Sequence, residues 1–402
     1  MPLTEIEVSL TDQERAFRDS VHKFAEEVMR PAGAALDRLA DPADVVAPDS
    51  VLWGVFEKAR EVGLADLEAG DTDLGPLEAA RLRCLVNEEL GWGDSGLAIS
   101  LGVAGFHRIF CRMSGRPELI ERYCEAGSQE IGCWAVTEPD HGSDSLAFDQ
   151  PHFSDPALRA NCIARKEGDE YVIRGQKAAW VSNGTIATVA ALFCTIDPSH
   201  GFQGGGVAIV PLDLRGVSRG RPLDKLGQRA LNQGEIFFDD VRIPAEYMVV
   251  GSEAYSFIVE TVLTMANAFM GVTFVGVARA ALEHSLAYAR ERVQGGVPIF
   301  EHQNVKARLF KMFTQAEAAR SLARRVLLYN GTKPPGLVQY SIAAKTFCTQ
   351  TAFDVASAAV QIFGGNGLSR EYPVEKLLRD ARASMIEDGC NELLSLVGAE
   401  KL

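Results

Sequence analysis

Apolar residues recur at helical spacing near the start of the chain. Phe17, Val21, Phe24 and Val28 follow at steps of 4, 3 and 4, which lines one face of a helix. Just before this stripe, Thr11-Asp12-Gln13-Glu14 is a capping box, in which a hydroxyl and a carboxylate satisfy free amides at a helix start. Pro31 is expected to end that helix, because proline lacks the amide a helix interior needs. Residues 40–50, rich in Asp, Pro and Val, read as a loop, and 52–65, 76–93 and 116–126 read as further helices. The period then changes. Segments 171–174, 188–193, 206–210 and 235–238 are short, β-branched or aromatic, and bounded by Gly, Asp or Pro. They predict strands of an antiparallel sheet or barrel. Long helical runs return at 256–292, 301–330, 337–363 and 371–399, the third rich in the small residues that let helices approach closely.

Helices, then a small sheet, then helices give an α+β class that is mostly α. The order is not the βαβ alternation of a doubly wound nucleotide fold. Gly204-Gly205-Gly206 lacks the strand-to-helix context of a phosphate loop and reads as a turn.

Composition narrows the function. A net charge of −14 over 402 residues argues against electrostatic nucleic-acid binding. The eight cysteines are scattered without a Cys-x-x-Cys pair, as expected of reduced thiols in a cytoplasmic compartment. The seven histidines are equally dispersed, which gives no metal-site spacing. No basic stretch followed by an apolar run opens the chain, so no secretory leader is expected. No uninterrupted apolar window of ~20 residues suggests a membrane span.

Three groups of residues carry candidate chemistry. In Trp134-Ala135-Val136-Thr137-Glu138-Pro139-Asp140-His141-Gly142-Ser143-Asp144, Pro139 and Gly142 fix a tight turn and Thr137 and Ser143 bring hydroxyls to it. Such a turn suits the edge of a polar heterocycle, or is an ordinary capped turn. In Trp180-Val181-Ser182-Asn183-Gly184 an indole next to a hydroxyl can cover a flat ring, or is a core tryptophan before a hairpin. The third group is C-terminal: Gln361-Ile362-Phe363-Gly364-Gly365-Asn366-Gly367, Glu371-Tyr372-Pro373-Val374-Glu375, Arg379-Asp380 and Glu387-Asp388-Gly389-Cys390.

In content, order and spacing these motifs resemble the acyl-CoA dehydrogenase family. The resemblance runs nearly end to end, through Leu10-Thr11, Val241-Arg242-Ile243-Pro244 and Arg292…Pro298-Ile299…Gln303. It implies an N-terminal helical domain (1–128), a middle antiparallel β domain (129–248) and a C-terminal four-helix bundle (249–402), assembled as a homotetramer or homodimer. It also implies an FAD enzyme that acts on an acyl-CoA or acyl-carrier thioester and passes electrons to an acceptor such as an electron-transfer flavoprotein. By matching positions, Trp134, Val136, Thr137, Gly142, Ser143, Trp180 and Ser182 contact the flavin. Arg292, Gln303, Gln361, Gly364 and Gly365 hold the ADP half, partly across a subunit interface, and Cys390 and Glu392 border the cofactor. Ser143, Glu387, Gly389 and Asn267 face the substrate.

The departures bear on mechanism. The family's closing Tyr-Glu-Gly-Thr carries its catalytic base as Glu, and here the base position is Asp388. In the family the base removes the proton α to the thioester while the β hydrogen leaves as hydride to the flavin. Asp is shorter by one C–C bond, about 1.5 Å, and a misplacement of about 1 Å can cost of order 100-fold. The alternative base position of some relatives falls on Ala266, and the adjacent family Arg is Asn267. The family's Arg-x-x-Phe-Gly reads Arg292-Val293-Gln294-Gly295-Gly296, without the aromatic residue. Three readings stay open. Asp388 is the base, for a cyclic or otherwise atypical acyl group; Glu387 replaces it by a register adjustment; or neither is a base. In the last case the protein performs an elimination or biosynthetic oxidation, or is a non-catalytic accessory subunit. Glu392, if helical with Asp388, would share its face and raise one of the two pKa values, or the pair are two solvated acids. Asp94, in the segment that lines the acyl pocket in the family, is a second acid that could meet a ring substrate.

Overall fold

The computed structural model describes residues 6–7, 10–64, 74–125 and 128–402. Helix α1 (Asp12–Phe24) begins at the expected capping box: Glu14 N–H donates to Thr11 Oγ1 at 3.2 Å and Thr11 N–H to Glu14 Oε2 at 2.7 Å. Pro31 does not end the helical run. The chain passes through a π-helical turn, Ala25–Met29, directly into α2 (Arg30–Asp37). Pro31 sits in the first turn of α2, where a missing amide is tolerated. A short 3₁₀ turn, Pro42–Val46, interrupts the expected loop. Helices α3 (Val51–Glu61), α4 (Pro76–Gly93) and α7 (Pro117–Cys124) match expectation, while residues 65 and 126 lie outside the described residues. Helices α5 (Ser95–Ala104) and α6 (Phe106–Ser114) were not expected. Gly96, Gly102 and Gly105 mask them, since glycine lowers helix propensity.

The middle sheet contains β1 (Gly132–Ala135), β2 (Ile163–Glu167), β3 (Glu170–Lys177), β4 (Val189–Thr195), β5 (Gly205–Pro211), β6 (Val217–Arg219), β7 (Ile236–Pro244) and β8 (Met248–Val250). Its order is β6-β7-β3-β2-β4-β5-β8, with β1 also on β4. The sheet is mixed rather than wholly antiparallel: β1 runs parallel to β4, and β2 meets β4 in parallel at Ile163 and Thr195. All seven residues of β4 are buried, the continuous apolar run of a strand covered on both faces. The triple glycine is not a free turn. Gly204 closes a 3₁₀ turn and Gly205 opens β5, where a Cβ would meet the Tyr255 ring at 2.5 Å.

The C-terminal part has three long helices, α8 (Ser252–Glu291), α9 (Gln303–Thr332) and α10 (Val338–Phe363). Between α8 and α9, Gly295 and Gly296 turn a hairpin of β9 (Val293–Gln294) and β10 (Val297–Pro298), both with positive φ as a two-residue turn requires. The run read as one helix over 371–399 is two, α11 (Val374–Ser384) and α12 (Asn391–Ala399), parted by a turn that carries Asp388. An 18-residue window of α8 is apolar enough to cross a membrane, but 78% of that window is buried in the protein, as in a core helix.

A buried ion cluster joins α4 to the C-terminal helices. The fully buried Glu88 carboxylate accepts from Arg279 of α8 at 2.7 Å and from Arg320 and Arg324 of α9, each at 2.9 Å. Burial alone would raise its pKa; the three guanidinium groups outweigh burial and hold it well below the ordinary glutamate value. Removing one partner strands the others. Glu88→Ala is predicted to destabilise the protein by roughly 3–5 kcal/mol, read as a lowered urea midpoint. Because the folded pKa is depressed, the contribution is present above the ordinary glutamate pKa and lost as pH falls. The gap between wild type and variant should therefore close on acidification.

Candidate active site

The turn after β1 is held from beneath. The buried Glu138 carboxylate accepts from Lys177 Nζ at 2.6 Å and from the Asn161 and Cys162 amides. Lys177 Nζ also donates to Val136 O at 2.9 Å. Glu138 and His141 exchange backbone hydrogen bonds across the turn, and Asp144 accepts from Gly142 N–H at 2.7 Å. Thr137, Gly142 and Ser143 remain half-buried at its rim. A Cβ on Gly142 would meet nothing within 4 Å, so the rim faces open space. Trp134 lies in β1 against Phe106 and Phe193, with its indole Nε1 buried and unpartnered among the described residues.

Trp180 is not a core residue: 57% of it is exposed. Its carbonyl and Ser182 Oγ both accept from Gln233 Nε2, at 3.1 and 3.3 Å. Asn183, with φ of 62°, is buried and bonded to Ser100 of α5 and to Gly132 O, so it anchors the loop while Trp180 projects. Hydroxyls at 137, 143 and 182, an open glycine rim and a projecting indole form a donor set that fits a flavin ring.

The C-terminal turn meets this site directly. Cys390 N–H donates to Ser143 Oγ at 2.9 Å, which ties the rim to the turn of Asp388. Asp388 and Gly389 have φ of 53° and 92°. Aspartate is one of the few side chains that accept this left-handed region readily. A Cβ on Gly389 would meet Leu394 at 2.9 Å, so glycine is needed there for space as well as conformation. Beneath the turn lies Lys345 of α10, fully buried, whose Nζ donates to Gly389 O at 2.7 Å and Asn391 Oδ1 at 2.8 Å. Burial raises the Asp388 pKa, and Lys345 opposes that rise. Burial, with the neighbouring Asp388 charge, pushes Glu387 up to about 7 against Gln228, Lys345 and Lys225. Gln228 Nε2 donates to Glu387 Oε1 at 2.6 Å.

Other expected residues fall elsewhere. Glu392 does not share a helical face with Asp388, because the left-handed turn intervenes; Glu392 is exposed in the first turn of α12. Asp94 is not a free acid. It caps α5 through Leu97 N–H at 2.9 Å and accepts from Lys376 Nζ at 2.6 Å. Asn267 is buried, its Nδ2 on Leu263 O at 3.0 Å and its Oδ1 unpartnered among the described residues. Arg292, Gln303, Gln361, Gly364 and Gly365 are exposed, at the C-terminal ends of α8 and α10 and the start of α9, and a Tyr288–Phe363 stack with centroids 4.0 Å apart joins α8 to α10.

Sequence reasoning passed over Lys345, Gln228, Lys225 and the Glu138–Lys177 pair. Lys345 did carry a signal. It falls on the buried stripe Ile342, Lys345, Thr349, Ala352 of α10, where a lysine is out of place.

Comparisons with known proteins agree with this geometry. Models of the acyl-CoA dehydrogenase N-terminal, middle and C-terminal domains match residues 11–126, 133–241 and 257–402. A protein of Geobacter metallireducens named cyclohex-1-ene-1-carbonyl-CoA dehydrogenase is 31% identical, covering 98% of both chains. One of the same name from Syntrophus aciditrophicus is 32% identical over 79% of this chain and 74% of its own. The structure of butyryl-CoA dehydrogenase from Megasphaera elsdenii superposes with a TM-score of 0.84 at 27% identity, covering 98% of this chain and 99% of that one. With matches over nearly its whole length and a rim that suits a flavin, the chain belongs to the acyl-CoA dehydrogenase family of FAD-dependent oxidoreductases.

Proposed function

We propose that this protein dehydrogenates a ring-bearing acyl-CoA thioester between its α and β carbons, with Asp388 as the base. The observation that carries the reading is the 2.9 Å bond from Cys390 N–H to Ser143 Oγ, which puts Asp388 two residues from the flavin rim. When bound, FAD supplies the acceptor for the β hydrogen. Thr137, Gly142, Ser143, Trp180 and Ser182 hold its ring. Asp388 takes the α proton, and the partial burial that raises its pKa makes it a stronger base than a solvated aspartate. A compact ring held against the turn offsets the shorter side chain. The whole-length similarity to a cyclohex-1-ene-1-carbonyl-CoA dehydrogenase supports this substrate class. Glu387 as the base is a second reading, favoured by its pKa of about 7.

Exposed aromatic residues on α9 and α10, among them Phe310, Phe313 and Phe347, support assembly into a homotetramer. There the exposed Arg292, Gln303, Gln361, Gly364 and Gly365 complete the ADP site of a neighbour. An electron-transfer flavoprotein is the proposed acceptor.

Anaerobic addition of cyclohex-1-ene-1-carbonyl-CoA or cyclohexane-1-carbonyl-CoA should bleach the oxidised flavin band. Asp388→Asn keeps shape and backbone preference and should slow this reduction by about 10²–10⁴-fold, with flavin content unchanged. Undiminished reduction in that variant would remove Asp388 from the role. Glu387 gives a pH prediction. Its folded pKa is raised, so the stability tied to its protonated form is present at acid pH and lost as pH rises towards about 7. Glu387→Gln should therefore gain in melting temperature over wild type between pH 5 and pH 8, and a gap that stays flat would argue against the buried, proton-holding Glu387.

A further inference from the structure

Asp388 and Glu387 are adjacent acids on one turn, and two carboxylates this close do not both ionise cheaply. The groups around them set how readily this turn carries a negative charge. The groups that face them come from three elements. Glu387 meets Asp388 on its own turn, Gln228 and Lys225 from the segment before β7, and Lys345 from α10. Asp388 meets Lys345 as the cation opposing its burial. Lys345 in turn faces Asp388, Glu387, Cys390 and Glu392.

The geometry about Lys345 is that of a clamp. The side chain is fully buried, a place a lysine rarely takes without a paired role. Its ammonium donates to Gly389 O and Asn391 Oδ1, which lie on either side of Cys390. Asn391 is itself fixed by Thr349 of α10, with Nδ2 to Thr349 Oγ1 at 3.1 Å. Cys390 N–H, between the two anchors, reaches Ser143. One buried cation thus holds the left-handed turn against the flavin rim, and its charge opposes the burial of the carboxylate that turn presents.

We propose that Lys345 is a positioning residue for Asp388: its ammonium clamps the 388–391 turn against the flavin rim and is the cation that opposes the burial of the Asp388 carboxylate. The inference rests on the reading of Asp388 as the base. Burial lowers the Lys345 pKa to about 8 against the pull of the acids, so the ammonium is still charged at neutral pH. The proton taken from the substrate then passes to Asp388.

The test is a pH titration of the Asp388 carboxyl in the full-length, flavin-loaded protein. Difference infrared spectroscopy follows the protonated C=O band, identified by its loss in Asp388→Asn. Lys345→Gln keeps a donor for Gly389 O and removes the charge. Its Asp388 midpoint should rise by about 1 unit or more, and the acid limb of kcat/KM for cyclohex-1-ene-1-carbonyl-CoA should move up with it. Lys345→Arg, which keeps the charge, should restore most of the shift. If Lys345→Gln fails to retain flavin, Asn391→Asp serves instead: its new carboxylate competes for the ammonium, and the Asp388 midpoint should again rise. A midpoint that stays at the wild-type value in whichever variant folds overturns the proposal. Normal flavin reduction by Asp388→Asn would instead sink the base reading, whatever the titration gives.

Discussion

One buried ammonium, Lys376, sits where the three parts of the chain meet. It donates to Asp94 at the end of α4 and to Asp380 on its own helix, at 2.6 and 2.5 Å. Asp380 accepts the amide of Gln228, from the middle domain, and Gln228 passes the connection to Glu387. An N-terminal acid, a C-terminal cation and a middle-domain amide are thus linked to the turn that carries Asp388. Glycines make the approach possible: a Cβ on Gly33 would meet Asp94 Oδ2 at 2.1 Å, and one on Gly227 would meet Arg379 O at 2.3 Å. Arg379 adds a bidentate pair with Asp37 of α2. A site built at a junction can be no more ordered than that junction, and here charge-assisted bonds in low dielectric fix it.

The same physics shapes the chemistry at the turn. Desolvation raises both carboxylates; Lys345 opposes the rise at both, and Lys225 and Gln228 oppose it at Glu387. The shorter acid also fits its backbone. At φ of 53°, aspartate sits in a region that glutamate enters less readily, so the loss of a methylene and the left-handed turn are mutually consistent. The turn, rather than the side chain alone, sets where the Asp388 carboxylate can reach.

Much of this was legible in the residues. Period-4/3 stripes gave α1, short β-branched runs gave β3, β4, β5 and β7, and the motif order gave the family. What escaped was of two kinds. The first was local structure under tertiary control: α5 and α6 hidden by their glycines, Pro31 accepted just after a π-helical turn, β1 paired in parallel with a strand far along the chain, and 371–399 divided at 385–390. The second was buried charge. Lys177 and Lys376 carry no sequence mark of burial and Lys345 only its place on an apolar stripe, because their partners, Glu138, Asp94, and Gly389 with Asn391, are brought to them only by folding. The Arg379-Asp380 pair belonged to the family motif, yet its work as an interdomain lock was visible only once Asp37 and Gln228 lay beside it.

The central claim is that Asp388, from its left-handed turn, reaches the α carbon of the acyl group. A crystal structure of the flavin-loaded protein with a bound, non-reducing analogue of cyclohex-1-ene-1-carbonyl-CoA measures that reach directly. The account predicts an Asp388 carboxylate oxygen about 3–3.5 Å from the α carbon, with Glu387 turned towards Gln228. An α carbon nearer to Glu387, or out of reach of both acids, would contradict it.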